Sequence, residues 1–154
     1  MNSMKSTLND KTTTIADLRK HIQVFRSKRG WTKEDPKDLA LSLILEASEL
    51  LEHFQWLTGD EVARNAKIKE AISEEMSDVL WWLINLGTRL DIDIASAFEK
   101  KVAKNAIKYP EKLFSPKMTE KEQTREYYKI KAATRGGHPL YEPEKTTSEN
   151  PEKK

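Results

Sequence analysis

Apolar side chains recur every three or four positions through most of residues 14–109, the spacing of one face of an α-helix. Ile15, Leu18, Ile22 and Phe25 form a first stripe. Thr14, with Asp17 three residues on, supplies an N-terminal cap and Gly30 a stop, which predicts a helix from Ile15 to about Arg29. A second helix is predicted from Pro36, a favourable first helical residue, with Asp35 as cap. Its stripe is Leu39, Leu43, Ala47, Leu50, Phe54 and Leu57, and Gly59 ends it. The third is predicted from Asp60 or Glu61 to about Leu90, with a break before Lys69; Ile72, Met76, Leu80, Leu83 and Leu90 mark its core side. Asp93 caps a fourth, Ile94 to Tyr109, where Pro110 disfavours continuation. A modest helix is predicted over 119–133 from the Thr119–Glu122 capping box. Alternating β-branched runs are absent, so no sheet is expected. Short connections between long helices imply antiparallel neighbours, hence an all-α, antiparallel four-helix bundle.

Proline placement divides the chain. Five of the six prolines lie at Pro110 or beyond, which leaves the preceding stretch free to form long helices. From Gly136 the sequence GGHPLYEPEKTTSENPEKK has few apolar residues and cannot offset its ordering entropy, so a flexible tail is expected. The expected organisation is a flexible segment 1–13, a helical domain 14–110 and a C-terminal extension 111–154. Charge then narrows the partners. Twenty-seven basic residues against 25 acidic give a net charge of +2, too balanced for a nucleic-acid binder. No apolar run reaches the ~18 residues of a transmembrane helix, so no membrane partner is expected. Met1 to Thr14 is polar and lacks a secretory signal, and there is no cysteine, which removes thiol catalysis, thiolate metal sites and disulfides. A cytoplasmic location is the expectation.

The candidate chemistry lies in carboxylates. On an ideal helix Glu46 falls about 60° from the second core stripe, and Glu49 about 60° further round on the same side. Glu52 points nearly opposite the core. Glu75 and Asp78 repeat the arrangement on the third helix, while Glu74 lies on another face. A lone E-x-x-E is usually a solvated face. Two such pairs on consecutive helices are harder to dismiss, because facing carboxylates repel, by about 3 kcal/mol per pair at 5 Å and an effective dielectric of 20. The neighbours on these faces are Ser42, His53 and Trp82, with no lysine or arginine at the right spacing. A hard divalent cation, Mg²⁺ with Mn²⁺ as substitute, resolves the conflict and favours phosphate oxygens as further ligands. Di-iron bundles use Glu-x-x-His, but Leu18, Leu50 and Arg135 stand three residues before His21, His53 and His138; zinc is equally disfavoured. On the fourth helix Lys101, Asn105 and Lys108 form one stripe beside Tyr109. Such a stripe is most often solvated, and it gains weight only beside an acidic metal cluster that holds phosphates. Of the four tryptophans, adjacent Trp81 and Trp82 cannot share one core face, Trp56 lies off its stripe and Trp31 sits in a loop. Tryptophans are usually core or interface residues, and near phosphates they also stack nucleobases.

The segments LILEASELLEHFQW (43–56), EEMSDVLWWL (74–83) and KVAKNAIKYP (101–110), in that order, resemble the MazG-like all-α nucleoside triphosphate pyrophosphohydrolases, nearest the dCTP pyrophosphatase branch. The resemblance extends over about residues 15–110, including RGW at 29–31. It implies Mg²⁺ ligation by Glu46, Glu49, Glu75 and Asp78, with base or nucleotide contacts from Trp31, Trp56 and Trp82. The asparagine and basic residue of the family's last motif match Asn105 and Lys108. Departures are Asp38, where the family commonly has asparagine, Trp82 where relatives have tyrosine, and Ile22 at the position of a substrate-contacting histidine, with His21 beside it.

The reading that follows is Mg²⁺-dependent hydrolysis of a (deoxy)nucleoside triphosphate, with dCTP or a related pyrimidine nucleotide as candidate, to the monophosphate and pyrophosphate. Glu49 is the candidate general base, Lys101, Lys108 and Tyr109 join the substrate site, and apolar residues on several faces (Leu45, Trp56, Trp81) imply a homodimer or homotetramer. The alternatives are a non-catalytic helical adaptor, or a pyrophosphohydrolase of a phosphoribosyl nucleotide.

Overall fold

The computed structural model describes residues 8–133, which form six α-helices and one short 3-10 turn, with no strand among the described residues. The tail expected from Gly136, and the first seven residues of the N-terminal segment, lie outside the described residues. Helix α1 spans Ile15–Ser27, and its capping box is reciprocal: Thr14 N–H donates to Asp17 Oδ2 at 2.9 Å, and Asp17 N–H to Thr14 Oγ1 at 3.1 Å. Gly30 follows at φ +72°, a conformation that favours glycine. Helix α2 spans Pro36–Glu52 behind its Asp35 cap.

Between α2 and the next long helix the chain departs from the pattern of the apolar stripe. Helix α2 stops at Glu52 rather than Leu57, and Phe54 and Gln55 turn tightly onto the carbonyls of Leu51 and Glu52. Gly59 is not a terminator. Thr58 and Glu61 form a second reciprocal capping box that starts the short helix α3, Gly59–Arg64. The break falls at Asn65, not before Lys69, because the Asn65 side chain accepts from the N–H groups of Lys67 and Ile68 and opens α4, Ala66–Arg89. Helix α5, Ile94–Lys108, begins where Asp93 Oδ1 accepts from Ser96 N–H at 2.9 Å. The α4–α5 corner is tight: Ile92 N–H reaches the Gly87 carbonyl at 2.8 Å, and Asp91 sits at φ +53°. Helix α6, Glu120–Ala133, starts at the Thr119–Glu122 box.

The described residues divide into two compact units, one ending at Glu99 and the other beginning at Lys100. In the first, α4 is central; α2 packs along most of it, and α1 and α3 pack against it less extensively. Arg26 meets Asn85 while Arg19 meets the Ile92 carbonyl, so α1 runs antiparallel to α4. Glu34, just before α2, meets Arg89 while Glu46 meets Trp82, so α2 is antiparallel to α4 as well. The core is narrow: Ile22, Leu39, Val62, Ile72 and Ile84, with Leu39 and Ile84 only 1% exposed. Burial of each such side chain contributes about 1.5–3 kcal/mol. Ile84 takes the place expected for Leu83, which with Met76 and Leu80 remains exposed. In the second unit Tyr109 stacks on Tyr127 at 5.3 Å, Phe114 meets Tyr109 edge-on, and Lys108 lies 5.2 Å over the Tyr109 ring.

Candidate functional site

The packing of α2 against α4 brings carboxylates from two helices to one place. Oxygens of Glu46, Glu75 and Asp78 lie within 4.8 Å of one another, a separation that one divalent cation can bridge. No lysine or arginine forms an ion pair with them among the described residues. Glu75 carries the consequence: partial burial, then the charges of Glu49, Asp78 and Glu46, hold its carboxyl above the usual glutamate range, against a smaller opposing pull from His53. Glu49 is exposed and outside the close trio, yet near enough for its charge to act on Glu75. Glu74 and Glu52 are exposed and outside the group. Oxygen donors at this spacing, uncompensated by base, could hold a metal ion.

The tryptophans separate by role. Trp82 is half-buried, and its indole Nε1–H donates to Glu46 Oε1 at 3.1 Å, so the ring adjoins the acids and orients one of them. Trp81 turns the other way and packs edge-on against Phe25 of α1 at 5.3 Å. Trp56 is 84% exposed. Trp31 is 53% exposed and lies near Phe25, and the Arg29 guanidinium sits 3.5 Å from the Phe25 ring centre and 6.0 Å from that of Trp31. Lys101, Asn105, Lys108 and Tyr109 belong to the second unit, where Lys101 and Asn105 are exposed and Tyr109 is engaged with Tyr127.

A second constellation was not visible in the sequence. Arg26 forms an ion pair with Glu34 and donates to Asn85 Oδ1. Arg89 Nε donates to the Glu34 carbonyl at 3.1 Å, and Trp31 N–H to the Arg26 carbonyl at 3.1 Å. Burial alone would raise the Glu34 carboxyl, but the bond and charge of Arg26 outweigh it and hold Glu34 below the usual range. Asn85 is 2% exposed and its Nδ2 has no partner, a deficit of about 1–3 kcal/mol for a buried donor. The signal available was a lone asparagine in the apolar run LINLG, whose partner Arg26 lies 59 residues away in sequence.

A sequence model of the MazG-like family matches residues 41–123, which include the three clustered acids, and the chain belongs to that family. It is similar to dCTP pyrophosphatase 1 of Mus musculus, 36% identical over 101 residues that cover 63% of this chain and 59% of that protein. Homo sapiens dCTP pyrophosphatase 1 is 35% identical over the same length, with the same coverage of both chains. The chain thus spans about three fifths of the length of these curated relatives. A solved pyrophosphatase from Archaeoglobus fulgidus superposes with a TM-score of 0.58 at 36% identity, covering 67% of this chain and 98% of that one. The all-α architecture expected from the sequence is the one the chain adopts.

Proposed function

We propose that this protein hydrolyses a nucleoside triphosphate to the monophosphate and pyrophosphate, with Mg²⁺ held by Glu46, Glu75 and Asp78 and with Glu49 completing the set. The observation that carries the reading is the convergence of the three carboxylates across the α2–α4 seam. Its family and its similarity to dCTP pyrophosphatases support a deoxynucleotide, dCTP foremost, as substrate. When bound, the cation supplies positive charge for the phosphate oxygens and acidifies the attacking water. Glu46, fixed by the Trp82 indole, Glu75 and Asp78 hold that charge in place. Glu49, exposed beside the trio, is free to act as general base and take the proton from water. The water oxygen bonds to phosphorus, one P–O bond of the α,β-anhydride breaks, and pyrophosphate leaves with the electron pair. Trp82 packs on the nucleotide, Trp31 and Trp56 contribute base contacts, Lys101 and Lys108 steady the phosphates, and Asn105 and Tyr109 join the substrate-binding residues.

The exposed apolar residues of α2, Leu41, Ile44, Leu45 and Leu51, with Met76 and Leu83 of α4, support a homodimer or homotetramer. The test is pyrophosphate release from a panel of the common dNTPs, the NTPs and a phosphoribosyl nucleotide, with Mg²⁺ and with chelator. Mg²⁺-dependent pyrophosphate from at least one deoxynucleotide is expected. A folded protein that releases none from any of them is an adaptor, and the proposal fails.

A further inference from the structure

Arg26, Trp31, Glu34 and Asn85 line a cleft of about 270 Å³ between α1, the following loop and the second half of α4, together with Thr88 and Arg89. The orientation of the Asn85 amide is fixed within it. Guanidinium only donates, so the group facing Arg26 is the amide oxygen, and both hydrogens of Nδ2 are left as donors. Those hydrogens have no protein partner, although Asn85 is 98% buried by the complement of its 2% exposure. Arg26 is itself held by Glu34, which stays ionised and offers only acceptors. Asn85, which lines the cleft, therefore holds an unpaired amide donor next to Arg26 and its partner Glu34, and another wall presents the half-exposed indole of Trp31.

Helix α4 sets the cleft in register with the acids. On an ideal helix Asn85 lies about 20° from Asp78 in rotation and about 10 Å further along the axis, with Trp82 between them. A nucleotide whose phosphates sit at the acids places its base at such a separation. The buried donor, the planar ring and the distance from the metal ligands all point to one occupant.

We propose that Asn85 is a specificity-determining residue: its Nδ2, oriented by the Arg26–Glu34 pair, donates to the acceptor edge of the substrate's nucleobase while Trp31 covers the ring. The inference rests on the reading of the acid trio as the phosphate site. An amide that only donates accepts cytosine, whose N3 and O2 are both acceptors, and opposes the N3–H of uracil or thymine. Glu34 is placed to accept from an exocyclic amino group.

Asn85→Asp tests this, because it preserves shape and an acceptor for Arg26 but replaces the donor with oxygen. Wild type and variant are assayed on dCTP, dUTP, dTTP, dATP and dGTP with saturating Mg²⁺. The expected result is a wild-type preference for dCTP over dUTP that falls by about tenfold or more, through KM rather than kcat. An active, folded variant with unchanged base ratios overturns the role of Asn85 and leaves the hydrolase reading intact. A wild type that releases pyrophosphate from no nucleotide takes both down. Should the variant fail to fold, the side-chain amide pair of Asn85 in ¹⁵N-labelled wild type is followed by NMR during titration with dCMP. A shift of that pair on saturation is expected, and an unmoved pair in a protein that binds dCMP overturns the proposal.

Discussion

Glu75 is crowded by Glu49, Asp78 and Glu46, so neutralising one member of this group acts on stability and on activity in opposite senses. Glu46→Gln, Glu75→Gln and Asp78→Asn are each expected to lower pyrophosphate release by about 100-fold or more, since each removes charge from the proposed cation site. The thermal midpoint without divalent cation should hold or rise, because repulsion is relieved. Glu52→Gln and Glu74→Gln, outside the trio, should leave both unchanged. Equal damage from Glu74→Gln and Glu75→Gln, measured side by side, would mean that the trio does not hold the metal. The adjacent tryptophans separate in the same assays. Trp81 packs on Phe25, so Trp81→Ala should lower the midpoint first, by an equivalent of about 3 kcal/mol or less given its half-burial. Trp82→Ala should instead weaken nucleotide binding by about 1–3 kcal/mol. It should also raise the Mg²⁺ requirement, because Glu46 loses the indole that orients it. A Trp82→Ala variant with unaltered KM and Mg²⁺ dependence would leave the indole a packing group only.

Four helix starts were legible from the polar side chains that announce them. Thr14–Asp17, Asp35–Pro36, Asp93 and Thr119–Glu122 all cap as their spacing implies. The stretch 53–65 was misread because the apolar stripe through Phe54 and Leu57 was allowed to outweigh two caps, Thr58–Glu61 and Asn65. Local hydrogen bonds decided there, since Leu57 and Phe54 bury too little to extend α2. The capping acids also set an acid limit. Hydrogen bonds from the cap N–H and hydroxyl groups hold Asp17, Glu61, Asp93 and Glu122 below their ordinary values. Their contribution is therefore full above the ordinary values, 4.5 for Glu and 3.8 for Asp, and is lost as pH falls through and below them. Far-UV circular dichroism melts from pH 6 to pH 3 should show a falling midpoint, and Asp17→Ala with Asp93→Ala should flatten that fall. At the α4–α5 corner, a Cβ on Gly87 would stand 2.9 Å from Ile94 Cδ1 and 3.0 Å from Cγ1. Gly87→Val should destabilise by about 1–3 kcal/mol in chemical denaturation, by overpacking this corner; an unchanged midpoint would show that Ile94 swings clear.

For the whole molecule, a narrow core and a wide apolar exterior belong together. Leu45 is 63% exposed on α2, and Ile44 beside it equally so. A self-association interface of about 1,600 Å² would cover such a surface. Sedimentation velocity should show a dimer or tetramer, and Ile44→Glu with Leu45→Glu should shift it towards monomer; a monomeric wild type would leave this surface for another partner. The meeting of Glu46 with Glu75 and Asp78 was legible because each acid pair lies within one helical turn of its own helix, whereas Glu49 stands outside the trio. The Arg26–Glu34–Asn85 group was not, because it joins a helix, a loop and a second helix with no local pattern to mark any of them. The acids also have a mechanical consequence. They straddle the seam where α2 and α4 pack, so like charges act there as a compressed spring that the proposed divalent cation would convert into a clasp. The resting protein should then breathe along this seam: backbone amides of 42–50 and 74–82 should exchange with deuterium faster in chelator than in Mg²⁺, while those of the α1–α4 corner, tied by Arg19 to the Ile92 carbonyl, keep one rate in both.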